Sequence, residues 1–388
     1  MERSDAGHQP LSWPTLLFIV GTTVAAAFWP LYAYHHGVTL GEILLALVYF
    51  VGGGLSITVG YHRLIAHRSY ECRPWLKALL LVTGSATWQG SALEWAADHV
   101  RHHGYTDTPK DPYNIKQGFW YAHVGWLFRR QPERPIAEFL ASDALLVWQH
   151  RTYIPLAVLT SFVVPFLVAG WGGLFLAGVV RIVIGHHVTW FVNSWAHYGR
   201  SRPYDPDISA ADSWLLAFFT FGEGFHNFHH AFPQDYRNGV TAWSFDPSKW
   251  IIHGLSWVGV TYDLKRISPV KQWQRRVQTA IGDAAPGAAS LSRVRATRAA
   301  LEQQLERTRV RLERMIERGH ELDLSNPQAR QELREWAARL MQDRVDRLGR
   351  SARRKLEHVR DLVESLEAYQ SLLEKLHAAE HGWDAQPA

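Results

Sequence analysis

The sequence predicts an all-α membrane protein: four transmembrane helices in two hairpins under a cytoplasmic helical cap, followed by a charged C-terminal helical hairpin or coiled coil. Three observations predict it: paired apolar runs separated by short turns, Lys and Arg concentrated between the pairs, and a Glu-, Arg- and Leu-rich tail with helical spacing.

A bilayer crossing takes about 20 apolar residues per helix. The first run extends from about Trp13 to Tyr34 and the second from Leu40 to Val59. The third extends from Ile154 to Ala169 and the fourth from Leu174 to Trp195. Tyr34-His35-His36-Gly37 joins the first pair and Gly170-Trp171-Gly172-Gly173 the second, so two tight hairpins are expected. No Lys or Arg lies between Arg3 and Arg63, or between Arg151 and Arg181. The segment joining the hairpins holds Arg63, Arg68, Arg73, Lys77, Arg101, Lys110, Lys116, Arg129, Arg130, Arg134 and Arg151. By the positive-inside rule that segment and both termini are cytoplasmic. The shorter apolar stretches, Leu79–Leu93 and Trp214–Phe221, read as interfacial or re-entrant helices. Arg181, charged within a span, should face the bundle interior or a polar cavity.

Residues 1–275 therefore read as a membrane-embedded domain, 276–290 as a linker containing Ala284-Ala285-Pro286-Gly287, and 291–380 as the charged extension. Its first helix runs from about Leu291 to Arg318, and its second opens at Ser325-Asn326-Pro327 with a cap-like residue followed by Pro in the first turn. Apolar residues at Met341, Val345, Leu348, Ala352, Leu356, Val359, Val363, Leu366 and Tyr369 give the second helix a packing stripe, which suits a solvated appendage or an element for oligomerisation or partner docking. The net charge of +5 sits beside hydrophobic spans, which favours a membrane surface over nucleic acid as its counterpart. Cys72 is the only cysteine, which excludes an internal disulfide and a cysteine-built metal site. The N-terminus is polar and its first apolar run is long, so no cleavable signal is expected.

Histidines carry the chemical information. His62 and His67 form HxxxxH just past the second run; His99, His102 and His103 form HxxHH; His226, His229 and His230 repeat HxxHH; and His197 lies at the end of the fourth run, one turn beyond Asn193. Residues three and four apart share a helix face, so each HxxHH can aim three imidazoles into one space. His62 and His67, five apart, point ~140° from each other on an ideal α-helix and suit flanking two metals better than chelating one. Nine convergent imidazoles are too many for one ion and about right for two. By contrast, His8, His35, His36, His123, His150 and His253 read as ordinary satisfied polar residues, and His186 and His187 have no partner in sequence. Imidazole suits zinc, copper, iron and nickel alike. Without carboxylates in the boxes the pattern is unlike a soluble Glu/His bundle site, and its ligand count is unlike a simple zinc hydrolase. Glu94, Asp98, Asp107, Asp111, Glu223 and Asp235 are near enough in sequence to accept imidazole N–H bonds.

Around these boxes the chain resembles the membrane fatty-acid desaturases, in their Δ9 acyl-CoA (stearoyl-CoA type) branch. The likeness includes Gly60-Tyr61-His62-Arg63-Leu64, Glu94-Trp95 before Asp98-His99, Lys110-Asp111-Pro112 and His123-Val124-Gly125-Trp126. It continues through Asn193-Ser194-Trp195-Ala196-His197, Arg202-Pro203-Tyr204-Asp205 and Gly222-Glu223-Gly224-Phe225-His226-Asn227, covering about Leu40 to Arg266. The resemblance implies two irons, with His62, His99, His226 and His229 around one and His67, His102, His103, His197 and His230 around the other. It implies that Asn193 reaches an iron through water, and that Gln89, Trp95 and Trp190 line a bent acyl tunnel, although Trp95 and Trp190 equally suit interfacial aromatics. Arg129 and Arg130 match a basic pair near the CoA phosphates, and equally suit a positive-inside role. Two positions depart from the pattern. Val100 follows His99 where the family has Arg, and Ala97 stands where acyl-CoA relatives often carry Arg, which leaves an acyl-lipid substrate open beside acyl-CoA.

An unactivated methylene C–H is too strong for acid–base chemistry, so the implied reaction uses O2 as co-substrate to insert a cis double bond into a long-chain saturated acyl group. The electrons are expected from a ferredoxin or a cytochrome b5-type donor with its reductase, because no haem motif is fused to the chain. The rivals are a related diiron hydroxylase of alkanes, sterols or carotenoids, and a membrane metal-binding scaffold whose tail does the work.

Overall fold

The computed structural model describes residues 10–130, 136–282, 288–316 and 350–384, with a few positions between 326 and 335. The described chain is mostly helical, and its contacts divide it into two units that meet in sequence at Arg266 and Ile267.

In the first unit, three helical runs are long and apolar enough to cross a bilayer: Trp13–His36, Leu40–Ala66 and Tyr153–His197. The first comprises α1 (Trp13–Ala27) and α2 (Trp29–His36), each started by a proline in its first turn, where no backbone donor is lost. The next, α3 (Leu40–Leu55), opens on a capping box in which Thr39 Oγ1 accepts from the Glu42 amide at 3.2 Å and Glu42 Oε2 accepts from the Thr39 amide at 2.8 Å. It continues as a π-helix over Ser56–Ala66.

Between the long runs lies a layer of short helices: α4 (Pro74–Ser85), α5 (Ala92–Tyr105), α6 (Phe119–His123), α7 (Glu138–Ala141) and α8 (Ala144–Arg151). The stretch read as one segment over Leu79–Leu93 is thus two helices, parted by a turn with positive φ at Trp88 (57°) and Gly90 (93°). The third long run begins with α9 (Tyr153–Val158), passes through α10 (Val164–Gly173) and ends in α11 (Arg181–Ser194). It is broken at Ala169 and Gly170, which leave helical geometry, and its halves pack on each other: a Cβ added at Gly178 would stand 2.8 Å from Ser161 O. Beyond it come α12 (Trp214–Phe219), α13 (His226–Ala231) and α14 (Pro247–Trp257). One departure from an all-helical chain is a two-residue strand pair, β1 (Glu71–Cys72) with β2 (Thr261–Tyr262), antiparallel with Glu71 opposite Tyr262.

The second unit holds α15 (Pro269–Gly282), α16 (Ala288–Ile316) and α17 (Arg350–Asp384). Residue 275, read as a domain end, falls inside α15. Val277 and Ala280 of α15 pack with Val294 and Leu301 of α16 and with Tyr369, Leu372 and Leu376 of α17. From the apolar stripe read in the sequence, Val363, Leu366 and Tyr369 are buried; Ser325, Pro327, Met341, Val345 and Leu348 lie outside the described residues. Glu380 near the end of α17 binds Arg295 (2.8 Å) and Arg298 (2.5 Å) near the start of α16, so the two helices run antiparallel.

Candidate metal centre

All nine box histidines meet in one place, as two adjoining groups. One comprises His62, His67, His99, His103 and His229; the other His102, His197, His226 and His230; within each the ring nitrogens lie within 4.8 Å of one another. Local backbone geometry explains the division. In α5, His99 and His103 are four apart on one face, while His102 sits on the edge toward the second group. In α13 the pattern is mirrored: His226 and His230 share the second group and His229 turns to the first.

The division differs from the one implied by the family resemblance, which put His226 with His62 and put His67 and His103 in the other set. For His67 the cause is the π-helix. The His67 amide donates to His62 O at 3.0 Å, an i→i+5 bond that stacks residue 67 nearly over residue 62. Their rings stand 4.8 Å apart, and the ~140° separation of an ideal α-helix does not apply.

The imidazoles present Nε2 to a common space. His62–His229 (2.9 Å), His67–His99 (2.8 Å) and His103–His229 (2.9 Å) approach through Nε2 in the first group. His197–His226 (3.0 Å), His226–His230 (3.1 Å) and His102–His230 (3.3 Å) do so in the second. Two imidazole nitrogens at right angles on one ion, each ~2.1 Å from it, stand about 3.0 Å apart. A run of facing ring nitrogens at this spacing has the geometry of a coordination sphere, so the donor set fits two metal ions.

Three of the Nδ1 atoms face oxygen atoms outside the cluster. His62 Nδ1 lies 2.9 Å from Glu223 Oε2, and His102 Nδ1 lies 2.8 Å from Asp111 Oδ1. His197 Nδ1 lies 2.7 Å from Ser209 Oγ, which donates to Asp107 Oδ1 at 2.5 Å. A carboxylate at Nδ1 holds the proton there and leaves the Nε2 lone pair for a metal. Among the carboxylates read from the sequence, Glu94 instead accepts from Ser91, and Asp235 pairs with Arg237. Ser209 carries no motif signal, because it reaches His197 only through the fold.

Arg63, counted in the sequence among the charges that orient the chain, is fully buried. Its guanidinium binds Glu223 Oε1 (3.1 Å), Asp246 Oδ1 (2.9 Å) and Tyr236 O (2.9 Å), which braces the carboxylate that braces His62. Burial alone would raise the Glu223 carboxyl, but His62 and Arg63 outweigh it and hold the pKa down at about 2. Burial pushes His67, His99, His103, His229 and His230 well below the ordinary imidazole value, aided by their crowded neighbours, and pushes His226 to about 3. These six imidazoles are therefore neutral and ligand-competent at physiological pH.

A 580 Å³ cavity, more apolar than polar in its lining, leads to His62, His99, His102 and His226. Gln89, Trp95, Trp190 and Asn193 line it, as do Arg129 and Arg130, so every residue proposed from the sequence for substrate contact borders this one space. Trp95 stacks on His99 with ring centroids 4.9 Å apart, and Gln89 Nε2 donates to Thr189 Oγ1 at 3.0 Å. Arg181 borders it too, as expected for a charge within a span, and so does His186, which the sequence reading left without a partner. Ala97 is buried against Leu140 and Leu146.

Comparison with known proteins agrees with this geometry. Residues 38–245 match the family model described as fatty acid desaturase. A probable acyl-CoA desaturase of Schizosaccharomyces pombe is 42% identical over 264 residues, covering 66% of this chain and 54% of the relative. Stearoyl-CoA desaturase 5 of Homo sapiens is 37% identical over 251 residues, 61% of this chain and 76% of the relative. A Delta(9)-fatty-acid desaturase of Caenorhabditis elegans is 35% identical over 237 residues, 58% of this chain and 70% of the relative. The chain thus spans about half the length of the S. pombe relative and more of the animal ones. With more than half of its residues inside the matched family model and every histidine box within that span, the chain belongs to the fatty acid desaturase family.

Proposed function

We propose that this protein is an integral-membrane diiron desaturase that inserts a cis double bond, at Δ9, into a long-chain saturated acyl-CoA. The observation that carries this reading is the apolar cavity ending on two adjoining sets of imidazoles. His62, His67, His99, His103 and His229 would hold one iron; His102, His197, His226 and His230 would hold the other, with Asn193 reaching it through water. Iron bound there supplies the redox chemistry with O2 that an unactivated C–H bond requires.

The chain's own residues do the rest. Glu223, Asp111 and Ser209 fix imidazole tautomers and orientations. The cavity walls exclude water and hold an extended acyl chain, with Gln89, Trp95 and Trp190 setting which carbon lies beside the imidazoles. Arg129 and Arg130 border the same cavity and suit an anionic carrier such as CoA. One observation favours a second carrier: Ala97, where acyl-CoA relatives often carry Arg, is packed in the core and offers no charge. An acyl chain esterified to a membrane lipid is that alternative.

With the third long run folded back at Ala169–Gly170, the three runs make four crossings, in two hairpins. The excess of Lys and Arg between the hairpins puts the histidine centre and both termini on the cytoplasmic side. Electrons come from a separate ferredoxin or cytochrome b5-type donor with its reductase, and the helices of the second unit serve donor docking or oligomerisation.

Expression in a desaturase-deficient host, with a competent donor and with double bonds mapped in the lipids, tests the reading. A new Δ9 alkene is expected. Hydroxylated product, or no new product from folded iron-loaded protein, contradicts it. Feeding labelled acyl-CoA against labelled phospholipid separates the two carriers.

A further inference from the structure

The turn between α4 and α5 is irregular backbone at the wall of the cavity, with Ala86 and Thr87 buried and Trp88, Gln89 and Gly90 partly so. Such backbone persists only if protein groups satisfy it. Side chains of the Tyr153–His197 run do so almost group by group. Arg181 Nη1 donates to Ala86 O at 2.6 Å and Ser161 Oγ donates to the same oxygen at 2.8 Å. His186 Nε2 lies 2.9 Å from Thr87 O and 3.2 Å from Trp88 O, and the Gly90 amide donates to Tyr153 Oη at 3.0 Å. The Trp88 indole in turn donates to Ser161 Oγ at 3.0 Å.

Arg181 has no business in an apolar span unless it works there. Arg181 is 5% exposed, its Nε donates to Ala177 O one turn earlier in the same run, and its guanidinium lies 5.3 Å from the centre of the Tyr49 ring. Nη2 has no hydrogen-bond partner, although Arg181 borders the cavity. Along α11 the cavity is bordered from Asn193 back to Arg181, twelve residues or ~18 Å of helix, so Arg181 marks the end remote from the histidines. Thr87, Trp88, Gln89 and Gly90, all in the clamped turn, border the cavity between those limits.

We propose that Arg181, with Ser161 and His186, is a positioning residue for specificity: it clamps the turn Ala86–Gly90 and so fixes the cavity wall that decides which carbon of the acyl chain is presented for reaction. The inference rests on the desaturase reading for its product readout, and on geometry alone for the clamp. One strained residue stands in this turn, Trp88 at φ 57°, and strain of this kind lasts only where surroundings enforce it. Releasing the carbonyl of Ala86 frees the turn, blurs the register of the chain and spreads the double bond over neighbouring positions.

The test uses full-length protein in the desaturase-deficient host, comparing wild type with R181M, R181K, S161A and H186Q. Wild type is expected to give one dominant double-bond position. R181M and S161A are expected to give at least a tenfold rise in the minor positional isomers, and R181K, which keeps a cation and a donor, to restore most of the selectivity. A single unchanged isomer from R181M overturns the proposal. If R181M does not fold, an unchanged isomer from both S161A and H186Q overturns it equally. Hydrogen exchange of the amides in residues 86–90, measured on the same proteins in detergent, reads the clamp without any chemistry. Faster exchange in S161A and R181M supports it, and exchange as slow as in wild type sinks it. A wild type that makes no alkene while the variants show faster exchange would remove the desaturase reading and leave the clamp standing.

Discussion

At the scale of single residues, the centre depends on what stands behind each imidazole. Glu223 shares its two oxygens between His62 and Arg63, both buried, so its charge is needed twice. Replacing Glu223 by Gln should lower metal affinity 10- to 100-fold, the usual cost of losing an acceptor behind a ligating imidazole. It also leaves the buried Arg63 guanidinium with Asp246 as its remaining carboxylate. Metal content after dialysis against graded chelator measures this, and wild-type retention by E223Q would contradict the role given to Glu223. The crowded imidazoles also set a pH dependence. Their folded-state pKa values lie below the ordinary 6.5, so below that pH the unfolded chain takes up protons that the folded metal-free protein refuses. Stability of the metal-free form should therefore hold above about pH 6.5 and fall on acidification below it, by about 1.4 kcal/mol per pH unit for each such histidine. Thermal unfolding across pH 4 to 8 would show it; a flat profile would not fit.

Individual elements show where the sequence was legible and where it stopped. The two HxxHH boxes could be assigned to helix faces because a period of 3.6 places positions three and four apart together, and both boxes do lie on helices, α5 and α13. The spread of His62 and His67 could not be foreseen, because the π-helix of Ser56–Ala66 arises from packing and not from any local propensity. The same change of geometry moved His67 into the set with His62. The burial of Arg63 was not legible for a related reason: its partners Glu223 and Asp246 arrive from 160 and 183 residues away. Close approach of α4 to the π-helix holds this element in place. A Cβ at Gly84 would lie 2.5 Å from the Tyr61 ring, which is itself tied to Gln149 at 3.0 Å. Gly84→Val should accordingly cost about 1–3 kcal/mol of stability and displace the turn carrying His62. A melting temperature and iron content equal to wild type would show that Tyr61 can move aside freely.

For the whole molecule, the proposed topology makes a directional claim. In that topology Trp243, 95% exposed, lies on the side of the histidine centre and Gly37, in the turn of the first hairpin, on the other. With Cys72, the only natural cysteine, replaced by Ala, an impermeant thiol reagent should label a cysteine at 243 only from the cytoplasmic side and one at 37 only from the other. Labelling of both from one side would reverse the arrangement drawn from Lys and Arg. The boundary between the two units was only roughly legible: a small-residue linker suggested a division near 276–290, whereas α15 packs with the charged helices and the contacts divide at Arg266. Apolar contacts of Val277 and Ala280, not linker composition, decide that. The claim on which everything else depends is that nine imidazoles hold two irons. Iron stoichiometry of the purified full-length protein, counted together with X-ray absorption of the bound metal, tests it most directly. The account predicts two irons per chain, ligated mainly by imidazole nitrogen, falling by about half when His197 and His230 are replaced together. One tightly bound ion per chain, or a centre that prefers zinc and stays redox-silent when loaded with iron, would contradict it.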